Sequence, residues 1–172
     1  SYALFDWLVA NKVLHRVSFK DLGAGGVMCA SVEQVAGKGF GAAIDLDKVH
    51  TSIKDLPPEV IACAETQERF CWMCHPSLTQ QIVDHYNVTW DLPSVAEGAR
   101  ASVIGTVNDS GMYTVTHKGE TVCNAKALDI TAGIQYVRPT EKKNVASPAP
   151  SVSSKDASVS VELPGGKKLQ TT

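Results

Sequence analysis

Nine residues, Phe19-Lys20-Asp21-Leu22-Gly23-Ala24-Gly25-Gly26-Val27, set the geometry of everything near them. The alternation of polar and apolar residues over Arg16 to Lys20 predicts a short, half-buried strand. That strand delivers the carboxylate of Asp21 at its C-terminal end. Gly23, Gly25 and Gly26 then let the backbone turn sharply and approach a ligand without a Cβ in the way. Residues 27–36 return to helical spacing and are stopped by Gly37 and Gly39. A helix that opens straight after such a turn aims unpaired N–H groups and the positive end of its dipole at one spot.

Two readings of the turn stay open from these residues alone. In one, Asp21 holds Mg²⁺ while the turn at Gly23, Gly25 and Gly26 faces phosphate oxygens, since phosphate chemistry needs a cation to offset the polyanion. In the other, the glycines serve packing and the Asp caps a helix. The run is neither a Walker A loop, for no Gly-Lys-Ser/Thr follows, nor a G-x-G-x-x-G in register.

A second polar cluster, Glu65-Thr66-Gln67-Glu68-Arg69, separates apolar Val60 to Ala64 from the apolar run Phe70 to Cys74. A polar loop at the mouth of a strand is where binding residues concentrate. Glu65 and Gln67 can bond a sugar or amide and Thr66 offers a hydroxyl; the plain alternative is an exposed loop.

Composition bounds the rest. The chain has 172 residues, 44% hydrophobic and 20% charged, enough for one domain with a core. A net charge of −2 offers no basic field for nucleic acid, and no apolar run is long enough to span a membrane. No basic leader followed by an apolar stretch opens the chain, and its five cysteines are irregularly spaced, so the expectation is reduced thiols in a cytoplasmic protein. An opening on a helical pattern without Met reads as a piece of something longer.

Further along, residues 2–14 have helical spacing, 41–46 read as a strand, and Pro57-Pro58 opens a helical turn. Residues 69–74 read as a core strand and 76–86 as a helix. Ala101 to Val107 reads as a strand whose hairpin partner, across Asp109-Ser110-Gly111, is Met112 to His117, with a further hairpin into Glu120 to Cys123. The expected class is therefore α+β. A domain over 1–140 is expected to be followed by a flexible Ser/Pro/Lys-rich linker or tail over 141–172. Asn87-Val88-Thr89 and Asn108-Asp109-Ser110 match the glycosylation sequon by chance on this reading.

Four blocks in register resemble phosphoribosylformylglycinamidine synthase, the ATP- and glutamine-dependent enzyme of purine biosynthesis. They are Asp21 to Gly26, Lys38-Gly39-Phe40-Gly41-Ala42-Ala43-Ile44-Asp45-Leu46-Asp47, Pro58-Glu59-Val60-Ile61 and Glu65 to Arg69. The likeness is strong over 15–75, looser to about 138, and absent in the tail. It implies the C-terminal, aminoimidazole-ribonucleotide-synthetase-type domain of the enzyme's first half, a layered fold with a mixed, largely antiparallel sheet. It implies a C–N bond-forming ligase that turns formylglycinamide ribonucleotide into its amidine. By the same likeness Asp21 is a Mg²⁺ ligand for ATP, and Glu65, Thr66 and Gln67 bind substrate. Thr66 stands where the family has Ser, which keeps the hydroxyl and adds a methyl.

The family's catalytic His, ATP-binding Lys and Tyr, and further metal ligands fall in the preceding domain, so this chain by itself is expected to be inactive. Its implied partners are the neighbouring domains and a glutaminase domain or subunit, and apolar faces without a neighbour leave room for a homodimer. The competing class is a non-catalytic binding or interaction domain of the same superfamily. Cys71-Trp72-Met73-Cys74-His75 spells a haem-attachment or metal pattern, but it falls on an apolar strand where cysteines pack as small hydrophobes. Of the other histidines, His15, His50, His85 and His117 are expected at the surface or as caps. Asp45 and Asp47 are expected to be solvated at a strand end rather than to bind metal.

Overall fold

The computed structural model describes residues 1–133, 136–142, 159–162 and 168–171. The chain divides into two compact units, Ser1–Ile134 and Gln135–Thr172.

The first unit is built around helix α2 (Gly26–Ala36). One of its faces, Val27, Val32, Val35 and Ala36, packs on a four-stranded sheet through Ala42, Ile44, Tyr113 and Val115. The sheet runs in the order β4 (Gly105–Asn108), β2 (Gly41–Asp45), β5 (Met112–His117), β6 (Glu120–Lys126). Its pairings are antiparallel except β2 with β5, which is parallel. Helix α3 (Pro58–Cys63), opened by the expected proline, adds Ile61 and Ala62 to the same core. Tyr113 and Ser31 are wholly buried and satisfy each other, with 2.7 Å between their hydroxyl oxygens. Burial pushes the Tyr113 phenol up to about 12.

A separate antiparallel ribbon pairs β1 (Val17–Asp21) with β3 (Phe70–Cys74). One of its faces packs on α1 (Tyr2–Ala10) and α4 (Thr79–Asp84) around Leu4, Leu8, Leu78 and Ile82. Phe5, Phe19, Phe70 and Trp72 stack along it at centroid separations from 4.5 to 5.2 Å. The α+β class with a mixed, largely antiparallel sheet is what the sequence led us to expect.

Three local expectations are corrected. The 101–107 strand is shorter, Gly105–Asn108, because Asn87 takes both main-chain groups of Ala101: its Oδ1 accepts from the amide at 2.8 Å and its Nδ2 donates to the carbonyl at 2.9 Å. Nor do β4 and β5 form a hairpin, since β2 inserts between them. Glycines on both contacts permit the insertion: a Cβ on Gly41 would lie 2.1 Å from the Met112 carbonyl oxygen, and one on Gly105 2.2 Å from that of Ala43. Finally, among the described residues β3 pairs only with β1, and it is half-buried rather than central, with Phe70 43% exposed.

Two histidines also depart from expectation. The imidazole of His117 is mostly buried and its Nδ1 lies 2.9 Å from Asp47 Oδ1, while the other Asp47 oxygen accepts from the Lys118 amide. Asp45 accepts from the Asp47 amide, so both carboxylates brace turns. His85, at the start of a wide turn (His85–Thr89) that continues α4, is 8% exposed, edge-on to Tyr86, and its Nε2 has no hydrogen-bond partner among the described residues. Burial holds its imidazole below the ordinary range, and burial does the same for His50.

The unfolded chain protonates these imidazoles near pH 6.5 and the folded chain resists doing so. Stability is therefore expected to be complete above about pH 6.5 and to decline as pH falls through that value. Denaturant midpoints between pH 7.5 and 5.5 should record a decline that flattens in His85→Phe; equal slopes in the two proteins would refute the assignment.

In the second unit, strands β7 (Val159–Glu162) and β8 (Lys168–Thr171) pair antiparallel. Most of the rest of the expected 141–172 tail lies outside the described residues.

Candidate functional site

The site is assembled where the β1–β3 ribbon meets the start of α2. Asp21 is the last residue of β1, opposite Phe70, and is exposed. The ribbon ladder extends one step further, with the Leu22 amide donating to the Arg69 carbonyl at 2.9 Å. Leu22 packs against the main core and anchors the strand just before the turn.

The turn that follows needs its glycines. Gly25 and Gly26 have φ of +74° and +54°. A Cβ on Gly26 would lie 2.4 Å from the Ala64 carbonyl oxygen, and one on Gly25 2.4 Å from Cys29 Sγ. The Gly26 amide closes the turn on the Gly23 carbonyl at 3.0 Å. Gly23 and Ala24 are exposed, and a Cβ on Gly23 would stand 3.2 Å from Asp21 Oδ2, so the carboxylate lies over the turn.

The polar loop closes on this turn. Gly25 N–H donates to Glu65 Oε1 at 3.2 Å, which joins residues 40 apart in sequence. Glu65, Thr66 and Gln67 are all exposed. Glu68 adopts φ of +59°, reversing the chain so that Arg69 turns back. The Arg69 Nη2 donates to the Ala64 carbonyl and its Nε to the Thr66 carbonyl at 3.3 Å. Burial pulls the Arg69 guanidinium below its usual range.

Asp21, Gly23, Gly25, Gly26 and Glu65 are thus brought to one end of the ribbon, with Asp21, Gly23 and Glu65 on open surface, Gly26 buried beneath them, and Thr66 and Gln67 on the adjoining loop. Sequence reasoning assigned no role to Arg69, although an arginine closing a polar run before a strand is a visible signal. No three His, Cys, Asp or Glu side chains group as a metal cage among the described residues. As one exposed carboxylate beside the glycine turn, Asp21 suits a Mg²⁺ that takes its other ligands from phosphate, water or other chains.

The C-x-x-C-H residues are used otherwise. Cys71 and Cys74 lie three apart in an extended strand and so face opposite sides. Cys74 packs toward α1 and Cys71 toward Gln34 of α2. His75 Nδ1 accepts from the Ser77 amide at 3.2 Å, capping the next turn.

Residues 11–118 match the family described as AIR synthase related protein, C-terminal domain. The phosphoribosylformylglycinamidine synthase subunit PurL of Methanothrix thermoacetophila is 50% identical over 122 residues, covering 71% of this chain and 16% of that protein. The same subunit of Tropheryma whipplei is 32% identical over 126 residues, 73% of this chain and 15% of that one. Among solved structures, Thermotoga maritima PurL complexed with FGAR is similar with a TM-score of 0.62 and 25% identity. That likeness covers 83% of this chain and 22% of the other. The ATP complex of the same protein gives a TM-score of 0.61 at 25% identity, over 80% and 22%. The chain therefore spans about a sixth of the length of the curated relatives it matches. It belongs to the AIR synthase related family, as a C-terminal-type domain of the kind found in phosphoribosylformylglycinamidine synthase.

Proposed function

We propose that this domain supplies Mg–ATP and substrate contacts to a cytoplasmic synthase that converts formylglycinamide ribonucleotide to its amidine with ATP and glutamine-derived ammonia. The observation that carries the reading is the Gly25 N–H bond to Glu65, which sets the glycine turn and the polar tripeptide side by side with Asp21 exposed next to them. The complexes of the similar T. maritima protein with FGAR and with ATP support the two ligand classes.

In this reading Mg²⁺, when bound, offsets the charge of the ATP phosphates. Asp21 presents it with an oxygen ligand from a fixed strand end. Gly23, Gly25 and Gly26 keep side chains away so that the phosphates can approach the turn. Glu65 accepts hydrogen bonds from substrate hydroxyl or amide groups, Gln67 accepts and donates, and Thr66 adds a hydroxyl. The acid–base group and the remaining metal ligands come from neighbouring domains of the synthase. Ammonia comes from a glutaminase partner, as the assembly named PurLQS in T. maritima suggests.

The chain by itself is then expected to lack turnover, because phosphoryl transfer needs all these groups to converge. Incubated with ATP, formylglycinamide ribonucleotide and ammonium, it should form no amidine. Millimolar substrate should still shift the amide resonances of residues 65–67. Turnover near that of an intact synthase, or shifts that avoid residues 21–26 and 65–67, would contradict the reading.

A further inference from the structure

Among the described residues nothing covers the exposed tripeptide Glu65-Thr66-Gln67, so something other than packing must hold it in one shape. Its two flanks have different anchors. Glu65 reaches Gly25 through a side chain that the proposed function needs for substrate. The lasting anchor is Arg69. Its carbonyl is tied to the Leu22 amide, which fixes the arginine backbone to the end of β1. The left-handed Glu68 then sends the guanidinium back over the loop. There it donates to the carbonyl just before the tripeptide, Ala64, and to one inside it, Thr66.

The Ala64 carbonyl is also the atom a Cβ on Gly26 would strike. The guanidinium thus bonds the carbonyl at which the end of α3 meets the glycine turn. Arg69 is partly buried and forms no ion pair among the described residues. Desolvating a cation without a carboxylate is costly, yet its hydrogen bonds go to loop carbonyls, and a planar, forked donor suits two carbonyls at once.

We propose that Arg69 is a positioning residue for the substrate. It holds the Ala64 and Thr66 carbonyls so that Glu65, Thr66 and Gln67 present their side chains together, and it acts through them rather than on ATP. The proposal rests on the reading of residues 65–67 as the substrate-binding tripeptide.

The test uses an intact synthase carrying this domain, with residues numbered as here. Arg69→Ala, Arg69→Lys, Gln67→Ala and the double variant R69A/Q67A are compared in steady-state kinetics, alongside thermal melts. Arg69→Ala should raise KM for formylglycinamide ribonucleotide at least about tenfold and leave KM for ATP within about twofold. Arg69→Lys, which can serve one carbonyl, should fall between; it carries the test if the alanine variant does not fold. The double variant should lose less than the product of the two single effects, since part of what Arg69 does runs through Gln67.

A merely structural role would lower the active fraction and leave both KM values unchanged, and that outcome overturns the proposal. So would multiplying effects of Arg69→Ala and Gln67→Ala. If Gln67→Ala itself leaves the substrate KM unchanged, the substrate reading of the tripeptide fails first and the proposal falls with it. If Gln67→Ala raises KM and the Arg69 variants do not, only the role of Arg69 is lost.

Discussion

Gly26→Ala is expected to destabilise the domain by at least about 3 kcal/mol, a large share of the 5–15 kcal/mol that holds a typical domain together. Two costs add. A residue other than glycine at φ of +54° costs on the order of 1–3 kcal/mol. The new methyl would also sit 2.4 Å from the Ala64 oxygen and 3.0 Å from the Cys63 carbonyl carbon. Both are main-chain atoms at the end of α3, so relief requires that helix to move, and α3 carries Ile61 and Ala62 of the core. Gly37→Ala is the control: that residue has φ of −64°, and a Cβ there meets nothing within 4 Å. It should leave stability within about 1 kcal/mol. Urea denaturation of both variants at neutral pH separates the two positions. Equal midpoints would mean that the close approach of the turn to α3 is not real.

Asp21→Asn in an intact synthase is expected to lower ATP-dependent amidine formation by on the order of 100-fold or more, the usual scale for removing a charge that stabilises a transferring phosphate. The exchange keeps shape and removes only the negative charge. Among the described residues no hydrogen bond or ion pair uses the Asp21 carboxylate, and the side chain is exposed, so the fold has no stake in that charge. Melting temperature should stay within about 2 °C of the parent synthase's. The loss should ease at raised Mg²⁺ if the metal still binds through its other ligands. Unchanged activity would return the turn to a packing role, and with it the reading of the domain as a binding or interaction module.

What could be read from sequence and what could not divides along the range of the interactions. The strand–glycine–helix unit is local: a β pattern, three glycines and a 3.6-residue period lie within about twenty residues, and the structure follows them closely. The Glu65 loop was found as a break in apolar character, and its place beside the turn came from the family resemblance; no local rule joins Gly25 to Glu65. The β4–β5 hairpin was misread because Asp109-Ser110-Gly111 carries a strong turn signal. The turn is present, held by Asn108 Oδ1, but it redirects the chain past β2. Pairing with β2 depends on residues more than sixty positions away, and only glycine at 41 and 105 hints at it.

His117 and Asp47 were missed for the same reason. They lie 70 positions apart and meet only because β2 and β5 run parallel. His85 looked like a surface residue within an amphipathic stretch, but the widened turn after α4 rotates it inward. Arg69 was legible as a residue and illegible as a role, because its partners are main-chain carbonyls, which leave no trace in composition.

The central claim is that the carboxylate at the end of β1 grips the metal of a metal–nucleotide complex. The most direct measurement is a crystal structure of an intact synthase carrying this domain, grown with Mn²⁺ and a non-hydrolysable ATP analogue, with the metal located by its anomalous scattering. We expect a Mn²⁺ bound to analogue phosphate oxygens with Asp21 Oδ at a ligand distance of about 2.0–2.3 Å. A nucleotide-bound metal with Asp21 outside its coordination sphere would contradict the account.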